Sequence, residues 1–293
     1  MPVVQTLHNF RFVCPGGLLL RNCRPCEECL RGNLLPALWH RCYRDSFTAT
    51  LSQVWTIASN RRRGTYKKLV NHYIALTGFA ARKLSAGGLH TDRISVKPNF
   101  LPDPPNPGTG EGGYAVYVGR LSGEKGVRTL LSAWRAFPDF PLKMVGVGPL
   151  RAELAERIDR EGLNVELSGM RNREELFDII GGASIQIVPS ECYEGFPLVI
   201  LEALACGTPV VASRIGSLDE IVADGEAGVK FASGDPAALA EKVGQMLSDR
   251  SRLVLMRRRS RMLFENNYTS EINFNRIIEI YRIVLDKSSG IRE

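Results

Sequence analysis

Two carboxylates, Glu194 and Glu202, flank the turn Gly195-Phe196-Pro197-Leu198 in the stretch VPSECYEGFPLVILEALACG, residues 188–207. A helix that begins at Pro197 directs several backbone N–H groups, none with an intrahelical partner, at that turn. Such a helix start attracts phosphate. Carboxylates there would repel the anion unless they grip another part of the same ligand, and that part must carry hydroxyls for them to accept from. A pair of cations suits the same ligand. In VGRLSGEKGV (118–127), Arg120 and Lys125 follow Gly119 at an expected strand end and precede an expected helix. Two cations so placed can hold a diphosphate and stabilise the charge that develops as it leaves.

The backbone must bring these groups to one place. From residue 114 short β-branched runs alternate with amphipathic stretches. Strands are predicted at 114–119, 142–148, 165–169, 184–190, 209–213 and 228–231, with helices at 127–136, 150–161, 173–181, 197–206, 217–223 and 236–247. Six strands each followed by a helix imply an α/β domain with a parallel, doubly wound sheet. Ligands then bind beyond the carboxyl ends of the strands, where Glu194 and the helix at Pro197 would lie. Residues 98–113, PNFLPDPPNPGTGEGG, read as an interdomain linker. Before it, strands at 3–8, 74–77 and 93–98 and helices near 35–58, 62–71 and 78–87 make only a thin parallel sheet, the second half of an α/β domain. The stretch 269–287 has Phe274, Ile277, Ile278, Tyr281, Val284 and Leu285 at helical spacing and reads as a packing helix. The expected organisation is therefore a partial domain over 1–100, a linker over 101–113, a ligand-binding domain over 114–268 and a terminal helix over 269–293.

Composition narrows the function. The 293 residues are 44% hydrophobic and 24% charged, a globular profile. No apolar run reaches the length of a membrane span, and the opening PVVQTLHNF reads as a buried strand rather than a leader. Charge is uneven: residues 1–100 carry 15 Lys/Arg against 4 Asp/Glu, whereas 101–293 carry 23 against 27. The basic third would meet an anionic membrane surface or an anionic acceptor. Nucleic acid is not expected as a partner, because no nucleic-acid-binding motif occurs and aromatics are not interleaved with the basic residues. A nicotinamide dehydrogenase is disfavoured by the lack of G-x-G-x-x-G after the first strand.

In order and content these motifs resemble the retaining glycosyltransferases of family 4, which have the GT-B fold of two Rossmann-like domains. The resemblance runs from VVQTLHNF to the terminal helix. It implies a donor that is a nucleotide sugar, of UDP or GDP type, and a glycan or lipid-linked acceptor at the cytoplasmic face of the membrane. Arg120 and Lys125 match the pair that holds the donor diphosphate. Glu194 and Glu202 match the E-x7-E motif, whose first Glu contacts the sugar and whose second accepts from the ribose hydroxyls. The backbone of Gly195, Phe196, Pro197 and Leu198 lies between them against the diphosphate. His8, in TLHNF, matches the His that faces the donor sugar. Gly146 in VGVGPL and Met170 in SGMRN fall where the family completes the donor pocket and meets the base. The expected catalytic set is His8, Arg120, Lys125 and Glu194. No D-x-D occurs anywhere, so no cofactor and no catalytic metal is expected.

Two further expectations concern the first third. Five of the seven Cys lie between residues 14 and 42, and CRPCEEC overlaps two C-x2-C pairs. In a reducing compartment such spacing favours metal over disulfides. Family members with this stretch carry Cys at the positions of Cys14, Cys26, Cys29 and Cys42, which implies a structural zinc with all four positions filled. Members also begin with a further Rossmann half of roughly a hundred residues. Relative to them this chain reads as lacking that half, and a non-catalytic nucleotide-sugar-binding module is the competing expectation.

Overall fold

In the computed structural model, which describes residues 1–289, the chain divides into two compact units. One comprises Met1–Asn99, Cys192–Phe196 and the residues from Glu271 onward; the other comprises Phe100–Glu191 and Pro197–Ser270.

The first unit opens with β1 (Val4–Leu7), a small antiparallel hairpin of β2 (Leu20–Arg21) and β3 (Arg24–Pro25), and three helices, α1 (Leu35–Trp39), α2 (Phe47–Arg63) and α3 (Thr65–Lys68). It continues through β4 (His72–Ala75), α4 (Gly78–Ala86) and β5 (Ile94–Val96), and its main sheet runs β1-β4-β5, all parallel. β4 is buried at all four residues. β1 is the edge strand and only Leu7 of it is buried, so the expected buried strand is half open. The helix expected over 35–58 is broken. Arg41, Arg44 and Asp45 take positive φ, which an α-helix cannot hold, and Ser46 restarts the chain by accepting from the Ala49 N–H as the cap of α2.

The second unit contains β6 (Ala115–Val118), α5 (Val127–Trp134), β7 (Leu142–Val145), α6 (Arg151–Glu161), β8 (Val165–Gly169) and α7 (Arg173–Gly182). There follow β9 (Ile185–Val188), α8 (Leu198–Ala205), β10 (Val210–Ser213), α9 (Gly216–Ile221), β11 (Gly228–Phe231), α10 (Pro236–Leu247) and α11 (Arg250–Asn267). The sheet order β11-β10-β9-β6-β7-β8 is parallel throughout, with the chain reversing direction of travel between β6 and β9. β9 and β10 are buried at every residue, as parallel strands covered on both faces must be. Trp134, Leu130, Leu131, Met144 and Phe231 fill one core.

Helix α11 has no counterpart in the expected elements. Its arginine-rich sequence hides the apolar spacing, for only Met256, Ser260 and Phe264 are buried. Two arginines explain its place. Arg257 donates to the carbonyls of Ala183, Gly181 and Gly108 at 2.8–3.0 Å. Arg261 donates to those of Ala205 (2.6 Å) and Pro105 (2.8 Å). Each guanidinium therefore caps carbonyls at a helix C-terminus, of α7 and α8 respectively. The same bonds hold the Pro/Gly stretch that reads as a linker: Gly108, Gly110 and Gly112 donate to the carbonyls of Cys206, Gly181 and Gly182. That stretch from Phe100 onward belongs to the second unit.

The last helix, α12 (Ser270–Ser289), groups with the first unit from Glu271. It is buried at Ile280 and Val284, whereas Phe274, Tyr281 and Leu285 of the expected apolar face are exposed. Among the described residues no helix is long and apolar enough to cross a membrane.

Candidate functional site

Within the second unit the loops that leave β6, β7 and β8 converge at the carboxyl ends of the strands. The Gly119 N–H donates to the Val145 carbonyl and the Gly146 N–H to that of Gly169, both within 3.0 Å. Gly146 has φ of 143° and a Cβ there would collide with the Gly119 carbonyl, so only glycine lets the two loops meet. Together they line a cavity of about 720 Å³, whose walls include Gly119, Arg120, Gly146, Met170 and Arg171. Three positions expected from separate motifs thus share one cavity with the Arg120 cation. Met170 is 76% exposed, a thioether presented for contact rather than packed into the core. Arg171 is a lining residue that the motifs do not single out, although it stands in the same SGMRN loop.

Lys125 closes a single 3₁₀ turn, Gly123–Lys125, that ends in Gly126. Gly126 takes φ of 69° and presses on the Pro189 carbonyl, with no room for a Cβ. The contact brings the Arg120–Lys125 loop against the loop that leaves β9. Two bonds fix it there: the Glu191 N–H donates to the Glu124 carbonyl at 2.9 Å, and the Thr129 hydroxyl donates to the Glu191 carboxylate at 2.5 Å. Glu191 therefore positions this loop, and nothing in its spacing marks it apart from its neighbours.

Helix α8 begins at Leu198 with Pro197 as its cap, one residue later than expected, and no side chain caps it. Without an acidic residue in its first turn, its N-terminal dipole is not opposed by charge. Glu202 lies one turn further on. Burial raises the pKa of its carboxyl, an effect that Arg173 partly offsets. A part-buried carboxylate that keeps an acceptor role is suited to neutral hydroxyls.

Glu194, Gly195 and Phe196 fall instead with the first unit. There Gly195 lies against the carbonyl of His8, so that a Cβ would come within 2.9 Å of it. His8 is exposed at the carboxyl end of β1, and His8 and Gly195 line the same small cavity. Tyr193, which sequence reasoning passes over, anchors the segment. Its hydroxyl donates to Glu27 at 2.7 Å, its ring meets Phe79 edge-on at 4.7 Å, and Lys83 pairs with Glu27 at 2.6 Å. Burial works against the Glu27 carboxylate, but the bonds from Lys83 and Tyr193 hold its pKa below the ordinary value. Burial and Glu27 push Tyr193 up to about 12.

The zinc expectation rests on four thiols of the first unit, Cys14, Cys26, Cys29 and Cys42. Among the described residues no group of three or more His, Cys, Asp or Glu is arranged to hold a metal ion. Cys14, Cys26, Cys29 and Cys42 are close enough to influence one another, yet all are free thiols. Cys14 packs with Leu7, Phe10 and Val13, and Cys29 with Leu34, Ala37 and Ile57. Burial, reinforced by Cys14, pushes Cys29 up to about 11. Zinc takes thiolate, and thiols that raise one another's pKa share one neighbourhood.

One unit with a six-stranded parallel sheet and another with a smaller parallel sheet are the composition of a GT-B glycosyltransferase fold. The chain belongs to the family described as Glycosyl transferases group 1, whose model matches residues 104–263. It is 35% identical over 179 residues to the D-inositol 3-phosphate glycosyltransferase of Corynebacterium urealyticum, covering 57% of this chain and 42% of that one. It is 37% identical over 140 residues to the glycogen synthase of Mycobacterium tuberculosis, covering 46% and 34%. The chain thus spans well under half the length of these curated relatives. Among solved structures, HepE of Anabaena in complex with UDP and glucose superposes with a TM-score of 0.70 at 20% identity, over 96% of this chain and 71% of that one. Sucrose-phosphate synthase of Thermosynechococcus elongatus gives 0.67 at 23%, over 78% and 62%. At these identities the structural likeness establishes the fold.

Proposed function

We propose that the chain acts in retaining transfer of a hexosyl group from a nucleotide sugar, UDP- or GDP-linked, to a glycan or lipid-linked precursor at an anionic membrane face. The observation that supports this most is the cavity in the second unit, where the β6, β7 and β8 loops set Arg120 among glycines whose lack of a Cβ lets the loops close together. Residues 114–268 serve as the donor domain. Arg120, Lys125 and the start of α8 take the diphosphate, Glu202 accepts from the ribose hydroxyls, and Met170 meets the base. In the reaction the anomeric carbon–oxygen bond to the diphosphate breaks and its electron pair leaves with the phosphate. Arg120 and Lys125 stabilise that charge without a metal. The acceptor hydroxyl forms the new bond to the same carbon, on the face the diphosphate left, and its proton passes to a phosphate oxygen. His8 and Glu194 orient the sugar.

Calorimetry with a nucleoside diphosphate and its sugar conjugate tests the binding roles. Glu202→Gln should weaken both ligands, and Glu194→Gln only the conjugate; equal effects of both variants on both ligands would refute the assignment.

A second reading, a nucleotide-sugar-binding module that needs further chain for transfer, is favoured by β1. An edge strand of a parallel sheet with only Leu7 buried leaves pairing groups and a face that further Rossmann strands would cover. Release of nucleoside diphosphate on addition of acceptor separates the two readings. Turnover by residues 1–293 alone supports the enzyme, whereas binding without turnover supports the module.

A further inference from the structure

Helix α2 turns an apolar stripe to solvent. Phe47, Leu51 and Trp55 recur every four residues and therefore stack along one side of the helix. All three are exposed, Trp55 by 74%, and the line ends in exposed Arg62. Thr50 and Ile57 occupy the buried side. Helix α1 repeats the pattern: Leu35 and Trp39, four apart, are 68% and 86% exposed, and Ala37 is buried. The two helices pack on each other. Two of the chain's three tryptophans thus stand in water, although a buried indole removes 150–250 Å² of surface from it; the third, Trp134, is fully buried.

The surrounding charge is mostly positive, with Asp45 in the α1–α2 connection and Glu28, paired with His40, as the acids nearby. Between Glu28 and Asp92 the chain carries ten Lys/Arg and a single acid, Asp45. Arg41 and Arg44 in the α1–α2 connection and Arg62 and Arg63 at the end of α2 are all exposed. Indoles beside arginines match the boundary of an anionic bilayer, where the ring lies at headgroup level and the guanidinium meets lipid phosphate. So strong an excess of one charge disfavours a second copy of the same face.

We propose that this α1–α2 face docks on an anionic lipid surface, with Trp39 and Trp55 inserted and Arg41, Arg44, Arg62 and Arg63 at the headgroups. This rests on the proposed lipid-side acceptor for its purpose, but not for its physics, and it places the surface on residues outside the donor site.

The test uses the full chain with vesicles of phosphatidylcholine alone or mixed with phosphatidylglycerol, without nucleotide. Emission from Trp39 and Trp55 should shift to the blue on the mixed vesicles and be quenched by lipids with brominated chains. The double variant Trp39→Ser/Trp55→Ser should lose partitioning by about tenfold or more, read by co-sedimentation. Arg62→Gln/Arg63→Gln should lose about tenfold at low salt and little at high salt. Thr56→Ala, on another exposed side of α2, should bind as the parent does. Absence of binding to the mixed vesicles, stripe variants that partition like the parent, or a concentration-dependent dimer abolished by those variants would each overturn the proposal. Vesicle binding by a chain that fails to bind nucleotide would leave this surface standing and remove the proposed function; nucleotide binding without vesicle binding would do the reverse.

Discussion

In the second unit six parallel strands are enclosed between helices, and β9 and β10 bury every residue. In the first, three strands carry the sheet, β4 alone is fully buried, and the connections are long and cysteine-rich. The difference is one of cover. A parallel strand is stable when both its faces are packed. The second unit supplies that packing from regular crossover helices, and the first relies on irregular loops fixed by specific pairs such as Tyr193–Glu27–Lys83. The second is therefore shaped by regular packing, whereas the first fixes the segment around Gly195 by side-chain anchors.

The largest effect should come from breaking the cover of the stronger unit. Arg257→Ala removes three bonds from a charged donor to carbonyls at the end of α7 and the Gly108 strap. At about 1.5–3 kcal/mol for a bond to a charged group, and with coupling among the three, a loss of about 3–5 kcal/mol is expected. Urea unfolding followed by emission of buried Trp134 measures it; a loss below about 1 kcal/mol would mean that α11 is peripheral.

Next in size is Glu202→Gln, expected to weaken nucleoside diphosphate binding by about 1.5–3 kcal/mol. The same side chain gives a pH dependence. Because burial raises its pKa, protonation begins above the ordinary carboxylate range of about 4.3. Binding should fall as pH drops through that raised value, and the slope should vanish in the Gln variant. An unchanged slope would assign the titration elsewhere.

In the first unit Tyr193→Phe should cost about 0.5–1.5 kcal/mol, read from the unfolding of that unit. The sign with pH is fixed: a depressed Glu27 pKa contributes stability above the unfolded value and loses it as pH falls through the folded one. The Phe variant should narrow that window, and an identical acid profile would show that the pair does not anchor the segment.

The smallest effect concerns the thiols. Since no cluster among the described residues is arranged for a metal, a chelator should leave the thermal midpoint of the chain unchanged. A fall in the midpoint, with about one zinc per chain in the untreated protein, would restore the metal.

The two regions were also unequally legible. Strand and helix periods of the second unit appear in its sequence, and Gly119, Arg120, Gly146 and Met170, drawn from separate motifs, line one cavity. Helix α11 was not legible, because its packing runs through Arg257 and Arg261 rather than apolar residues. The α1–α2 break rests on positive-φ residues other than glycine, which carry no sequence mark. Cysteine spacing was legible as a metal pattern, and only the packed unit shows that Cys14, Cys26, Cys29 and Cys42 come close enough to influence one another.

By itself the sequence determined the alternation of elements, the acidic–basic asymmetry and the residues suited to a diphosphate and its hydroxyls, since these follow from local periodicity and side-chain chemistry. Tertiary structure alone decided that Glu194 and Gly195 group with His8 in the first unit while Glu202 stays in the second. It also decided that Glu202 is buried and that two tryptophans face water. Each of these depends on which surfaces meet after distant segments pack, and residue spacing along the chain does not encode that meeting.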